Sequence, residues 1–319
     1  MEEILNERDP GVEETAGSAK QHQNRRGKGH LSTRRTGSEL VIFIIVFVIF
    51  IVYAISLILP LLWMLMNSFK DGTEYAIDVV MADTLRLPTK WKFSNYVEVF
   101  SRIVYNDVTF FGMMLNSLYF IFVEQGLRLF FVAVTGYILS KYTFKGRNAI
   151  YAIAIFAMTL PIIGNTAAGV SLRASLGIYD NLLAVFFTAG SGAWGFEFLL
   201  MYAFFKSVPW DYAEAAFIDG ANHFEVFFRI MLPMGMPMLS TLFILAAIGS
   251  WNDYTSPMLY FPSFPNLAMG LYQVSGELTR GDMSVYYAAL VITTLPVLIV
   301  FTLFSDKIMK NYSVGGLKG

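Results

Sequence analysis

The chain has 319 residues, 55% of them hydrophobic and only 15% charged, with a formal net charge of −1 and a mean hydropathy of +0.54. That composition is too apolar for an ordinary soluble domain, and its charge balance lacks the basic excess of a nucleic-acid binder. With no cysteine, disulfides, thiol nucleophiles and thiolate metal sites are excluded, and His22, His30 and His223 are too scattered to form a metal site.

Residues 1–38 are polar, acidic up to Glu14 and basic from Lys20 to Arg35, with no apolar periodicity, and read as a disordered cytoplasmic tail. The apolar run that follows is too long and too far from the start for a cleavable signal peptide. Six segments then reach the roughly 20 apolar residues that a membrane helix needs. They are Leu40 to Met66, Gly112 to Ser140, Asn148 to Leu172, Asn181 to Phe205, Ile230 to Tyr254 and Met283 to Ser305. The interior prolines Pro60, Pro161 and Pro296 are tolerated better in such helices than in soluble ones. No dyad alternation of a membrane barrel occurs. The expectation is an all-α membrane protein with six spans over 39–310, preceded by the tail and followed by a short cytoplasmic segment, 311–319.

Lysine and arginine counts set the orientation. With the N-terminus inside, fifteen lie on the cytoplasmic side and seven outside, five of those on the long first loop. Both termini are therefore expected in the cytoplasm, in a multi-pass membrane protein.

Between the fourth and fifth segments lies DYAEAAFIDGANHFEVFFRIMLP, Asp211 to Pro233, which reads as two short helices meeting at Gly220. Ala213, Ala215, Ala216 and Ala221 surround the glycine, so another surface can approach the backbone there. Phe224, Phe227, Phe228 and Met231 form an apolar stripe at helical spacing. Leu232 and Pro233 then begin the next span. One reading is an amphipathic helix lying on the headgroups. Glu214, Asp219 and Glu225 argue against it, because an anionic leaflet favours basic segments; a protein partner suits the segment better.

This segment resembles the signature of ABC importer permeases: EAA, three residues, G, nine residues, I, any residue, LP. Here Glu214-Ala215-Ala216, Gly220, Ile230 and Leu232-Pro233 keep every spacing, and Asp219 and Ala221 complete the DGA form of the sugar branch. Weaker motifs similar to the second permease of maltose-type, multiple-sugar systems follow in order: LPTKWKFSNY, Asn116-Ser117, GYILSKYTFKGR, SLGIYDN, WNDY and a terminal NYSVGGLKG. The N-terminal tail is longer than in that branch, and the chain end varies its wording. The resemblance implies the type I importer permease fold, with 211–233 as a coupling elbow docked in a groove of a cytoplasmic ATPase. It implies ATPase-coupling roles for Glu214, Ala215, Ala216, Asp219, Gly220 and Ala221. It also implies as partners a second homologous permease, two ATPase subunits, an external solute-binding protein and a sugar substrate, besides membrane lipid. No GK[ST] phosphate loop occurs, so this chain is expected to bind no cofactor and to carry no catalytic residues, ATP being used by the partner subunit.

Ionisable residues inside spans are costly and are functional candidates. Glu124 and Arg128, four apart, can pair on one helix face. Glu197 either pairs with Arg128 or lines the pathway. Trp251, Asn252 and Asp253 suit a sugar through an aromatic face and hydroxyl-accepting oxygens, or serve helix packing and anchoring. Phe261, Phe264 and Tyr272 fall in the external loop where, by resemblance, the binding protein docks; otherwise they are an aromatic belt. The competing functions are an ABC importer of an amino acid or peptide and, from another class, a secondary carrier. A carrier would show inverted repeats with broken helices around a midplane ion site, and no such repeat is visible.

Overall fold

The structure is a computed structural model and describes residues 37–159 and 165–314. The sequence readings that fall on 1–36, on Pro161 and on 315–319 lie outside the described residues. The chain divides inside its first helix, α1 (Gly37–Ser68), into units ending at Leu59 and beginning at Pro60. In the first unit every side chain from Leu40 to Leu59 is exposed, as an apolar helix facing hydrocarbon should be.

After the end of α1 the second unit continues with a small subdomain. It comprises α2 (Gly72–Val80), α3 (Asn95–Arg102) and a two-stranded antiparallel hairpin of β1 (Val104–Tyr105) and β2 (Val108–Thr109). Asp71 caps α2, accepting from the Thr73 backbone N–H at 3.0 Å and from the Thr73 hydroxyl at 2.6 Å. At its centre the Lys70 ammonium donates to the Asp78 carboxylate at 2.8 Å, with side-chain exposures of 0% and 2%. Asn95 Nδ2 donates to the Ser68 and Lys70 carbonyls, both at 2.8 Å, and ties this pair to the end of α1.

α4 (Phe110–Tyr119), a π turn (Phe120–Gln125) and α5 (Gly126–Lys141) form one continuous helix. Then come α6 (Arg147–Thr159), α7 (Asn165–Ser175), α8 (Ala184–Thr188), a 3₁₀ turn (Ala189–Trp194) and α9 (Phe196–Ser207). α10 (Asp211–Ile218) and α11 (His223–Val226) follow, and α11 runs through a second π turn (Phe227–Met231) into α12 (Leu232–Asn252). α13 (Thr255–Tyr260), α14 (Leu267–Ser275) and α15 (Met283–Val314) complete the chain.

Among the described residues, four helices are long and apolar enough to cross a membrane: Leu40–Ser68, Phe110–Lys141, His223–Asn252 and Met283–Ser305. The expected third span is helical on both sides of 160–164. The expected fourth is not one helix: it bends at Gly195, whose φ of −92° and ψ of −165° are extended. Gly190, Gly192 and Gly195 fall within this stretch, and each weakens an α-helix by about 1 kcal/mol relative to alanine. The expected fifth span starts earlier than its proline suggests, because Pro233 lies inside a helix that begins at His223. The preceding π turn makes Pro233 a first-turn residue of α12, where its missing N–H costs little.

The two largest buried clusters among the described residues join the helices of this unit. One joins Leu129, Val132 and Tyr137 of α5 to Met201 and Phe205 of α9 and to Ala213, Val226 and Met231. The other joins Phe110, Met113 and Ile121 to Trp251, Leu267, Leu271 and Ala288. Gly136, in the GYILSKY run, sits where α5 and α9 touch: a Cβ there would lie 3.1 Å from Met201 Cβ and 3.1 Å from the Tyr202 nitrogen. Small residues permit this close helix approach within a membrane.

Candidate functional site

The 211–233 segment is built as two capped helices. α10 ends in a Schellman motif: the Ala221 N–H donates to the Ala216 carbonyl at 2.9 Å and the Gly220 N–H to that of Phe217 at 3.0 Å. Gly220 occupies the left-handed position of that motif, with φ +86°. α11 begins at once with a capping box, in which Asn222 Oδ1 accepts from the Phe224 and Glu225 N–H groups, each at 3.0 Å, and Glu225 accepts from the Asn222 N–H at 2.9 Å. The sequence reading placed the turn but missed the box, although N-x-x-E after a glycine is its signal.

The two faces of the elbow differ. Ala213 and Ala216 are buried against the helical core, whereas Glu214, Ala215, Asp219 and Gly220 are exposed and Ala221 is half-buried. Two apolar side chains project beside the acids, Ile218 at 86% exposure and Phe224 at 77%. The apolar stripe is therefore split: Phe227 and Met231 are buried, while Phe224 and Phe228 face outward. A β-carbon at Gly220 would meet nothing within 4 Å, so within this chain the glycine answers to backbone conformation rather than to crowding.

On the inner side an aromatic group surrounds the elbow. The hydroxyl of Tyr142, the residue capping α5, lies 2.9 Å from His223 Nδ1 and 3.2 Å from the Tyr137 hydroxyl. Its ring meets Trp210 at 5.8 Å, and the His223 ring meets Phe217 at 4.9 Å. Lys141 Nζ also donates to the Val208 carbonyl, just before α10.

A second set of candidates lies in the membrane-spanning part. Arg128 does not pair with Glu124. Its Nη2 donates to Glu197 Oε1 at 3.1 Å and its Nε to Gln125 Oε1 at 2.8 Å. The π turn at Phe120–Gln125 interrupts the regular i, i+4 spacing on which the Glu124–Arg128 pairing rested. Glu124 instead lines a concavity with Gln125, Ser250, Asp253, Ser256 and Asn266. An adjoining concavity shares Gln125, Ser250 and Asp253 and adds Arg128, Glu197 and Gly249. Arg173, read from sequence only as an external cation, lies 3.9 Å above the Tyr260 ring.

The trio at the end of α12 separates. Trp251 is buried in the cluster it shares with Phe110 and Leu267 and donates through Nε1 to the Thr293 carbonyl at 3.0 Å. Asn252 is exposed and bonds back to the Ile248 carbonyl at 2.8 Å. Asp253 lines both concavities, its Oδ1 accepting from the Thr255 and Ser256 N–H groups at 2.9 and 3.0 Å. In the following loop Phe261 is buried against Phe120, so it presents no surface to a partner. Phe264 packs on the same small cluster, and Tyr272 is exposed and stacked on Tyr254 at 4.5 Å.

Residues 132–313 match the family described as binding-protein-dependent transport system inner membrane component. The chain is 28% identical over 277 residues to the diacetylchitobiose uptake system permease protein NgcG of Streptomyces coelicolor, covering 83% of this chain and 85% of that one. It is 28% identical over 273 residues to the arabinooligosaccharides transport system permease protein AraQ of Bacillus subtilis, covering 85% and 94%. Its fold is similar to that of a chain in the crystal structure of a bacterial ABC transporter involved in the import of the acidic polysaccharide alginate. The TM-score is 0.72 and the identity 22%, over 86% of this chain and 99% of that one.

Proposed function

We propose that this chain, which belongs to the family of binding-protein-dependent transport system inner membrane components, is the permease subunit of an ABC importer and forms half of the translocation pathway for a carbohydrate. The observation that carries the proposal is the elbow: two capped helices meeting at Gly220, anchored on one face and presenting Glu214, Asp219, Ile218 and Phe224 on the other. Apolar knobs ringed by acids suit a protein groove with cationic edges better than they suit lipid. The groove belongs to a cytoplasmic ATPase subunit, one of two; Glu214, Ala215, Asp219, Gly220 and Ala221 form the contact, and Ala216, buried beneath them, seats the elbow on this chain's core. Closure of the ATPases moves the elbow and with it the helices that flank it, switching the pathway between inward- and outward-facing forms. This chain itself hydrolyses nothing.

The carbohydrate assignment draws on the sugar-branch motifs and on the names of its relatives, permeases for diacetylchitobiose and for arabinooligosaccharides. Within the pathway, Glu197 and Asp253, with Gln125, Arg128 and Ser250, supply oxygens that accept hydroxyl protons and donors that bind ring or glycosidic oxygens. Trp251 and Asn252 support the end of α12 beside them. The chain crosses the bacterial cell membrane six times, with both termini cytoplasmic, the tail at 1–38, the permease domain at 39–310 and the closing segment at 311–319. A second permease completes the pathway, and an external solute-binding protein delivers the sugar.

The test is ATP-dependent uptake by the complete complex in proteoliposomes, supplied with its solute-binding protein and offered labelled di- and oligosaccharides, amino acids and dipeptides. Accumulation of a carbohydrate supports the proposal. Import of an amino acid or peptide in its place, or uptake driven by an ion gradient without ATP, refutes it.

A further inference from the structure

Covalent connection alone links the elbow to two elements, α9 before it and α12 after it. The structure adds a third attachment that the chain path does not provide. Tyr142 ends α5, more than sixty residues upstream of α10, yet its hydroxyl lies 2.9 Å from His223 Nδ1, in the first turn of α11. The Tyr137 hydroxyl, 3.2 Å away on α5, continues the chain of hydrogen bonds into the core. Around it the rings are interlocked: Tyr142 with Trp210, Trp210 with Phe217, and Phe217 with His223. Lys141 reaches the Val208 carbonyl from the same helix end. With the imidazole neutral, the Tyr142 hydroxyl donates to Nδ1 and the Tyr137 hydroxyl donates to Tyr142, so each group is satisfied in one direction.

Resting on the import reading above, we propose that Tyr142 and His223 are positioning residues that clamp the coupling elbow to α5, so that motion delivered by the ATPase enters this third helix as well as α9 and α12. Packing of apolar surface is non-directional and lets neighbouring elements slide. A directional hydrogen bond between one hydroxyl and one ring nitrogen fixes the angle between them. His223 is exposed but its ring is set against the Tyr142 ring at 5.5 Å, whereas Ile218 and Phe224 stand 86% and 77% exposed. Transmission and docking are thereby assigned to different side chains of the same elbow.

The cysteine-free sequence permits a direct test. Spin labels on Ile138→Cys, on the exposed side of α5, and Tyr212→Cys, exposed on α10 and outside the proposed ATPase contact, report the α5–elbow distance in the complete complex. It is measured without nucleotide and after trapping with ATP and vanadate. In the parent background the clamp keeps one narrow distance distribution in both states. Tyr142→Phe, which keeps the ring, and His223→Leu broaden or shift the distribution on trapping, while the co-expressed ATPase still co-purifies in parental amount. His223→Gln, which retains a polar partner for the hydroxyl, moves the distribution back toward the parental one. A parental distance that itself changes on trapping, or clamp variants that keep the parental distribution in both states, overturns the proposal. Failure of the parent chain to retain the ATPase refutes the import reading instead, and the clamp's role falls with it.

Discussion

Replacing Gly220 separates two reasons for the glycine. At φ +86° an L-residue with a β-carbon costs about 1–2 kcal/mol, whereas asparagine, which bonds locally and visits this region, costs less. No atom of this chain lies within 4 Å of the added carbon, so no clash contributes. Gly220→Ala should therefore lower the stability of the purified chain in detergent by about 1 kcal/mol, Gly220→Asn by a few tenths, and neither should unfold it. The same three proteins are then assembled with the ATPase, and ATP-coupled uptake is compared with their thermal stability. If backbone conformation is the whole requirement, Asn restores coupling in step with stability. If a partner backbone also lies close, both variants uncouple transport, and only Asn regains stability. An Asn variant no more stable than the Ala variant would refute the conformational argument.

Other expectations concern the remainder of the chain. Lys70→Met strands the Asp78 carboxylate in a buried site with only the distant Arg86, at 3.9 Å, to offset it; thermal unfolding should show a loss of about 3–5 kcal/mol, largely recovered in the Lys70→Met/Asp78→Leu double variant. Arg128→Ala removes hydrogen bonds to both Glu197 and Gln125, and should cost about 1.5–3 kcal/mol in unfolding measurements and depress uptake more than Glu197→Gln does. The Thr73 hydroxyl and N–H groups and the Lys92 ammonium hold the Asp71 carboxyl down at about 2 against a usual 3.8. Because the folded value is depressed, the α2 cap contributes fully above about pH 4 and is lost as pH falls toward 2. Asp71→Asn keeps the cap and should flatten that dependence in hydrogen exchange of the 72–80 amides.

Long apolar runs, free of charge in the first and last, marked the first, second, fifth and last helices because a helix is the element that satisfies its own backbone over so many consecutive apolar residues. The elbow was legible down to its glycine, since a Schellman turn and a following helix start both leave marks on sequence. Two features were not. Glycines within Ala189–Gly195 were read through as part of one span, because apolar content does not reveal where a backbone bends. The partner of Arg128 stayed open between Glu124 and Glu197, because spacing along one helix does not reveal a π turn between Glu124 and its expected neighbour; Arg128 meets Glu197. Trp251 and Asp253 lie two apart in sequence yet part company, one turning toward Thr293 and the other to the polar concavities.

The π turn at Phe120–Gln125 gives this helix one residue more than the faces on either side of it require. Chain length is therefore not fixed there. Removing a single residue from the turn lets it close into regular α-helix while Met113 above and Leu129 below keep their buried sides. The same deletion a turn later, between Leu129 and Leu139, rotates everything beyond it by about 100° and carries Tyr137 off the core. Segment 120–125 is the point at which this helix can be shortened without being turned.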